Sequence, residues 1–282
     1  MSYSISSESL NNPLLFELLE KLTAFFNSIN SEFYIIGATA RDIIISGIHN
    51  QEVRRKTADL DIAIAIPDWS KFQEISDSIE QIEGFYKSRK QKQRFYYKRD
   101  SKLDIVPFGE IARADNSIYW PPEETHAMSV IGFTQVAKHT LDVAIDGRLI
   151  VKIASLPSIF LLKLAAWRDR NMETDKDAED MAFLITVYLE INMGRAAANH
   201  YDVFEHEPFS SFHTGATLMG RDMKFILHDD FLILREFAGI LQCELNKGDG
   251  SLLINQMLET HQPLKYEEVY DALLSMTNEL TK

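Results

Sequence analysis

The segment Thr57-Ala58-Asp59-Leu60-Asp61 runs straight into the apolar stretch Ile62-Ala63-Ile64-Ala65-Ile66. On a strand, residues two apart project from the same face, so Asp59 and Asp61 share a side. The run behind them is apolar and rich in isoleucine, as in a strand covered on both faces. Two carboxylates held side by side at such a strand repel one another unless a cation stands between them. A hard divalent ion, Mg²⁺ or Mn²⁺, meets that need with oxygen ligands. The plainer alternative is that both acids are solvated or neutralised by Arg54, Arg55 and Lys56.

Two further segments bear on the choice. Upstream, Phe33-Tyr34-Ile35-Ile36-Gly37-Ala38-Thr39-Ala40-Arg41-Asp42 reads as a short strand, a glycine turn and a helix. A glycine lets backbone approach a ligand closely, and open N–H groups at a helix start suit a phosphate. Thr39 offers a hydroxyl there and Arg41 a charge. Downstream, Leu103-Asp104-Ile105-Val106-Pro107-Phe108 is a second apolar strand with one acid near its start. Asp104 would add a third carboxylate to a metal face, and would be placed to accept a proton from an attacking hydroxyl. As an ordinary turn residue it would instead be solvated.

The order of glycine turn, Asp-x-Asp and lone strand acid resembles the nucleotidyltransferase superfamily with the polymerase-β-like palm. That resemblance implies a triphosphate held by Gly37, Thr39 and Arg41, and Mg²⁺ held by Asp59 and Asp61. Asp104 would then share a metal and activate the acceptor. The turn is also similar to the Gly-Gly-x-x-Arg-Asp segment of tRNA-end-adding and poly(A) polymerases, except that Ala38 replaces the second small residue. Alanine does not take positive φ cheaply, so the turn is expected to be tighter or to hold phosphate less closely.

A later block extends the likeness. Lys163, Ala166 and Arg170, followed by Lys176, Asp177 and Asp180, resemble the Lys-x-x-Ala-x-x-x-Arg and Lys-Asp-x-x-Asp pattern of AbiEii-type toxin nucleotidyltransferases. The resemblance spans about residues 30 to 190 and implies that Lys163 contacts nucleotide phosphates while the Lys176-Asp177 block supports the site, with Arg170 and Asp177 counted among the nucleotide-binding residues. It further implies an RNA or tRNA acceptor and an antitoxin protein as partner. Read without the resemblance, these are two surface helix segments, with Lys176 and Asp180 as a solvated pair.

Bulk properties set limits. A net charge of −13 disfavours indiscriminate binding to nucleic acid, so any such partner needs a local basic patch. The densest candidate is Lys87-Ser-Arg89-Lys90-Gln-Lys92-Gln-Arg94-Phe95-Tyr96-Tyr97-Lys98-Arg99. Arg94, Tyr96 and Lys98 are expected on one strand face and Phe95 and Tyr97 on the other. A solvated hairpin arm is the competing reading. An acidic surface also suits a cationic small molecule, so aminoglycoside-type transfer is a second possible chemistry, and a non-catalytic nucleotide-binding or interaction module is a third. Cys243 is the single cysteine, which excludes a disulfide framework and fits a reducing cytoplasm. No signal peptide and no membrane-spanning run is evident.

The elements that must position these residues follow from periodicity. Helices are expected over 12–29, 39–47 and 69–82, with Asp68 capping the third, and strands over 33–36 and 59–66. A hairpin is expected over 93–107, a loop over 109–127, and an alternating stretch over 131–153 with a turn at Asp146-Gly147. Further helices fall near 177–192, 214–228, 230–245 and 266–280. Gly215 to Asp222 echoes the Gly37 turn but reads as helix, with Arg221 and Asp222 exposed. The expected fold is thus α/β: a catalytic domain over 1–154, with a mixed sheet flanked by helices, and a mostly helical domain over 155–282.

Overall fold

The computed structural model describes residues 2–10, 12–51, 59–99, 101–124, 127–260 and 264–282. Arg54, Arg55, Lys56, Thr57, Ala58 and His126 lie outside them. The chain divides into two compact units, one ending at Ser155 and the other beginning at Leu156.

The first unit is α/β. Its strands are β1 (Ser2–Ile5), β2 (Phe33–Ile36), β3 (Asp59–Ala65), β4 (Phe85–Lys87), β5 (Arg94–Tyr97), β6 (Ser101–Phe108), β7 (Ser117–Tyr119), β8 (Ala127–Ser129), β9 (Leu141–Ile145) and β10 (Leu149–Ile153). Eight of them form one mixed sheet in the order β1-β9-β10-β2-β3-β6-β5-β4, and β7 and β8 pair separately. The helices are α1 (Pro13–Ser28), α2 (Gly37–Asp42), α3 (Trp69–Glu80) and α4 (Phe133–Lys138).

Local chemistry accounts for most of these. Asn12 caps α1 by accepting from the N–H groups of Leu14 and Leu15, and Pro13 occupies the first turn. The helical stripe Leu15, Leu18, Leu19, Leu22 and Phe26 is buried. Asp68 caps α3 by accepting from the Lys71 N–H. Asp146 (φ 51°) and Gly147 (φ 66°) form the left-handed turn joining β9 to β10.

Four features depart from the sequence expectation. A strand, β1, pairs in parallel with β9, although Ser2–Ile5 is short and half polar. Residues 133–138 form the helix α4 inside the stretch read as alternating, with Gly132 (φ 82°) as its left-handed lead-in. The span read as a loop contains β7. The helix after Gly37 stays α-helical only to Asp42, then continues as a wider π-helical turn over Ile43–Ile48.

The second unit is helical: α5 (Leu156–Arg170), α6 (Lys176–Asn199), α7 (Ser211–Leu227), α8 (Phe231–Asn246), α9 (Leu252–Thr260) and α10 (Tyr266–Thr281). Helix α7 runs through its centre and nearly all of its first ten residues are buried. A Cβ on Gly215 would lie 2.7 Å from the Ile185 carbonyl of α6, and one on Gly220 would lie 2.9 Å from the Met276 carbonyl of α10. The glycines that echo the Gly37 turn are therefore places of close helix packing. Arg221 and Asp222 are not exposed as expected. Arg221 pairs with Asp202 and Glu279, and Asp222 pairs with Arg195 and accepts from the Tyr188 hydroxyl. A crowded helix interface leaves these charges partners in place of water.

Candidate functional site

Strand register builds the site. Asp59 and Asp61 are half-buried on one face of β3, while Leu60 and Ile62 between and beyond them are fully buried on the other. In the parallel β3–β6 pairing Asp61 lies opposite Asp104 and Asp59 opposite Lys102. In the antiparallel β5–β6 hairpin Arg94 lies opposite Asp104 and Tyr96 opposite Lys102. Tyr86 of β4 then lies opposite Tyr96. Two rows thus cross the sheet: Asp61, Asp104, Arg94, and Asp59, Lys102, Tyr96, Tyr86. All are half-buried or exposed, whereas Val106 and Phe108, farther along the same face of β6, are buried. Phe108 packs on Phe133 of α4, and the Tyr34 hydroxyl of β2 donates to the Phe133 carbonyl. The sheet face is closed toward α4 and open toward the acids.

The glycine turn sits against this face. Ile36, the last residue of β2, pairs with Asp61, and the chain then reverses at Gly37 (φ 65°) into α2. A Cβ on Gly37 would lie 2.6 Å from Asp61 Oδ2, so the glycine leaves the space which that carboxylate occupies. The positive φ is confined to Gly37, and Ala38 lies within the helix, which is how the turn accommodates alanine. Thr39 Oγ1 donates to the Asp59 carbonyl at 2.8 Å and ties α2 to β3. Arg41 is buried and its Nε donates to Asp42 at 2.8 Å. Thr39 thus fastens the turn to β3, and Arg41 is paired with its neighbour Asp42.

The charges are neutralised from within the chain. Arg94 donates to both oxygens of Asp104, at 2.8 and 2.6 Å, and Lys102 stands 3.1 Å from Asp59 Oδ2. The two bonds to Asp104 hold the Arg94 guanidinium still more firmly protonated than usual. Neither cation was singled out from the sequence as the acids' partner. The signal lay in the hairpin: the register of β5 on β6 sets Arg94 opposite Asp104 and Tyr96 opposite Lys102. Lys98 departs from its expected face. It has φ 47°, outside the strand, and turns to Glu17 of α1 at 2.7 Å, beside the hydrogen bond from Tyr97 to the same carboxylate. Burial, and then that bond to Glu17, push the Tyr97 phenol well above its usual range.

Among the described residues no group of three or more His, Cys, Asp or Glu side chains is gathered to hold a metal as the site stands. The donor types nevertheless fit one. Asp59 and Asp61 present hard oxygens on an open face, one beside the space left by Gly37, and Asp104 could join them on leaving Arg94.

A second cluster lies in the helical unit. Asp177 is fully buried at the start of α6 and accepts from Lys163 at 3.0 Å and from Arg170 at 2.7 and 2.9 Å. Asp180 stands 2.6 Å from the same Lys163 Nζ, in place of the solvated pair with Lys176. Burial opposes the charge on Lys163, but Asp180 and Asp177 outweigh it and raise its pKa. Burial likewise works against Asp177 ionising, and Arg170 and Lys163 overcome it, holding the carboxyl below its usual range. Trp167 faces inward, donating to Gln256 at 2.7 Å.

By fold the chain is an α/β unit with a mixed eight-stranded sheet followed by a helical unit, and by site it carries an open carboxylate face beside a glycine turn. No protein-family model, curated protein or solved structure matches it significantly. No helix among the described residues is long and apolar enough to cross a membrane.

Proposed function

We propose that the protein is a metal-dependent nucleotidyltransferase of polymerase-β-like type, similar to the AbiEii toxins, which moves a nucleoside monophosphate from an NTP to an RNA hydroxyl and releases pyrophosphate. The observation that carries this reading is the juxtaposition at β3: Asp59 and Asp61 on an open face, Asp104 in register beside Asp61, and Gly37 shaped around the Asp61 carboxylate. Asp59 and Asp61 would hold Mg²⁺ or Mn²⁺, which when bound neutralises charge on the triphosphate. Asp104 would take the proton of the attacking hydroxyl once Arg94 releases it. Gly37 supplies the turn that brings the α2 backbone to the same face, where N–H groups can meet phosphate oxygens. In the helical unit, the AbiEii resemblance would give Lys163 the contact with nucleotide phosphates, and Asp177 accepts from both Lys163 and Arg170. The rate gain comes from placement and electrostatics, and no covalent intermediate on the protein is required.

The test uses each α-³²P-labelled NTP with Mg²⁺ or Mn²⁺ and total RNA, an aminoglycoside panel, or the protein alone. Transfer of label to RNA that vanishes in a folded Asp61→Asn variant is the expected result. An Asp61→Asn variant that still transfers label removes this mechanism.

A further inference from the structure

The row that begins at Asp59 does not end at Lys102. It continues through Tyr96 to Tyr86, whose rings stack with centroids 5.2 Å apart and planes inclined by 16°. Tyr86 is 40% exposed, on the outermost strand of the sheet. The hairpin does not need this pair for its core. Phe85, Phe95 and Tyr97 are buried on the opposite face and already anchor β4 and β5. Residues 87–99 contain seven lysines and arginines and no acid, in a chain of net charge −13; Lys92, Arg94 and Lys98 pair with Glu123, Asp104 and Glu17, and the exposed turn carries cations beyond those pairs. Arg89 and Lys90 are exposed where β4 passes to β5. Lysines on an edge strand also deter pairing with another sheet, but that role does not call for two stacked tyrosines on the carboxylate face.

We infer that Tyr86 and Tyr96, flanked by Lys102 and by the basic turn at Arg89 and Lys90, form a docking strip for an unpaired RNA strand that leads to Asp59 and Asp61. The chemistry is that of a single-strand binder, in which aromatic faces stack bases of any sequence and cations follow the phosphates. RNA is recognised chiefly where its bases are unstacked and open to such contact. At a strand spacing of about 4.8 Å, Tyr86 stands roughly 14 Å from Asp59, the length of about four stacked nucleotides. A strand stacked on Tyr86 and Tyr96 can therefore present a terminal hydroxyl to the carboxylates. The strip deepens the nucleotidyltransferase reading by assigning the acceptor to one surface, and it is tested by binding alone.

The experiment is fluorescence anisotropy at low salt with the full chain and labelled ten-nucleotide oligo-A and oligo-U RNA, beside the DNA equivalents and an RNA duplex. Unpaired RNA is expected to bind more tightly than the duplex and at least as tightly as unpaired DNA. Tyr86→Leu and Tyr96→Leu should each weaken it about fivefold or more, Tyr86→Phe should leave it near wild type, and an Arg89→Ala/Lys90→Ala variant should flatten its salt dependence. Wild-type affinity in the folded leucine variants overturns the strip, as does absent RNA binding or a preference for DNA or duplex. The two readings fail separately. Tyrosine-dependent RNA binding without nucleotidyl transfer sinks the activity and keeps the strip. Transfer to an aminoglycoside with no RNA binding sinks the strip and the RNA acceptor and keeps the nucleotidyl-transfer chemistry.

Discussion

Gly37 is the most exposing position for the proposed site, because one methyl group there acts directly on Asp61. Substitution by alanine has two separable effects. The first is backbone cost: φ of 65° lies in the left-handed region, which costs a non-glycine residue about 1–2 kcal/mol. Reduced freedom of the unfolded chain offsets about 0.4–1 kcal/mol of that. The net loss is thus about 1 kcal/mol, or roughly 2–4 °C for a unit of this size. The second effect is steric. The new Cβ would lie 2.6 Å from Asp61 Oδ2, so the carboxylate must retreat by about 0.8 Å to reach ordinary contact. A side-chain oxygen can make that move without unfolding anything, but it leaves its position beside Asp104. Misplacement on the order of 1 Å costs about 10²-fold in rate. Gly37→Ala is therefore expected to melt within a few degrees of wild type while losing about a hundredfold in label transfer. Thermal unfolding followed by circular dichroism and the labelled-NTP assay measure the two effects independently. Transfer within about threefold of wild type would refute the claim that Gly37 exists to seat Asp61.

In the helical unit, Asp177→Ala should destabilise by about 1–3 kcal/mol in denaturant unfolding, because it removes a fully buried acceptor of Lys163 and Arg170 while Lys163 keeps Asp180 and Arg170 reaches solvent; a loss near zero would mean these bonds contribute nothing to the fold. Asp177 has a folded pKa below its usual value, so its contribution is complete above the ordinary carboxylate range near pH 4 and fades as pH falls through the lowered value. The stability gap between wild type and Asp177→Asn should accordingly narrow on acidification, and a gap independent of pH would contradict the assignment. In the sheet, Arg94→Gln removes a doubly bonded partner of Asp104 and should cost about 1.5–3 kcal/mol without divalent ions. Adding Mn²⁺ should raise the melting temperature of this variant more than that of wild type. Equal responses would show that Arg94 and the ion do not compete for Asp104.

Several elements were legible because their signals are local. The apolar stripe from Leu15 to Phe26, the Asp68 cap and the Asp146-Gly147 turn each depend on residues a few positions apart. The common face of Asp59 and Asp61 follows from strand period alone. What the sequence hid was pairing at a distance. Strand β1 exists because Asp142–Ile145 offers it an edge, and nothing in Ser-Tyr-Ser-Ile announces that. Lys98 left its expected face because two left-handed residues, Lys98 and Arg99, end the strand one position early. Alternation across 131–153 masked α4, whose six residues are too few to establish a helical period. The commitment of Asp104 to Arg94 required the register of a hairpin, and the commitment of Thr39 to the Asp59 carbonyl required a tertiary approach.

The place of β10 in the sheet bears on how the chain is made. It joins β9, and through it β1, to the remaining strands, with Ile153 opposite Ile35 and the Ala154 N–H bonded to the Ile35 carbonyl. On a ribosome, β1 emerges first yet has no edge to join until β9 appears some 140 residues later. The strands bearing Asp59, Asp61, Asp104 and Arg94 can pair well before then. A nascent chain stopped between β6 and β9 would thus carry the whole acidic face while the flank of β2 stayed bare. At that stage an unpaired strand edge and the buried faces meant for β9 and β10 are open to solvent together.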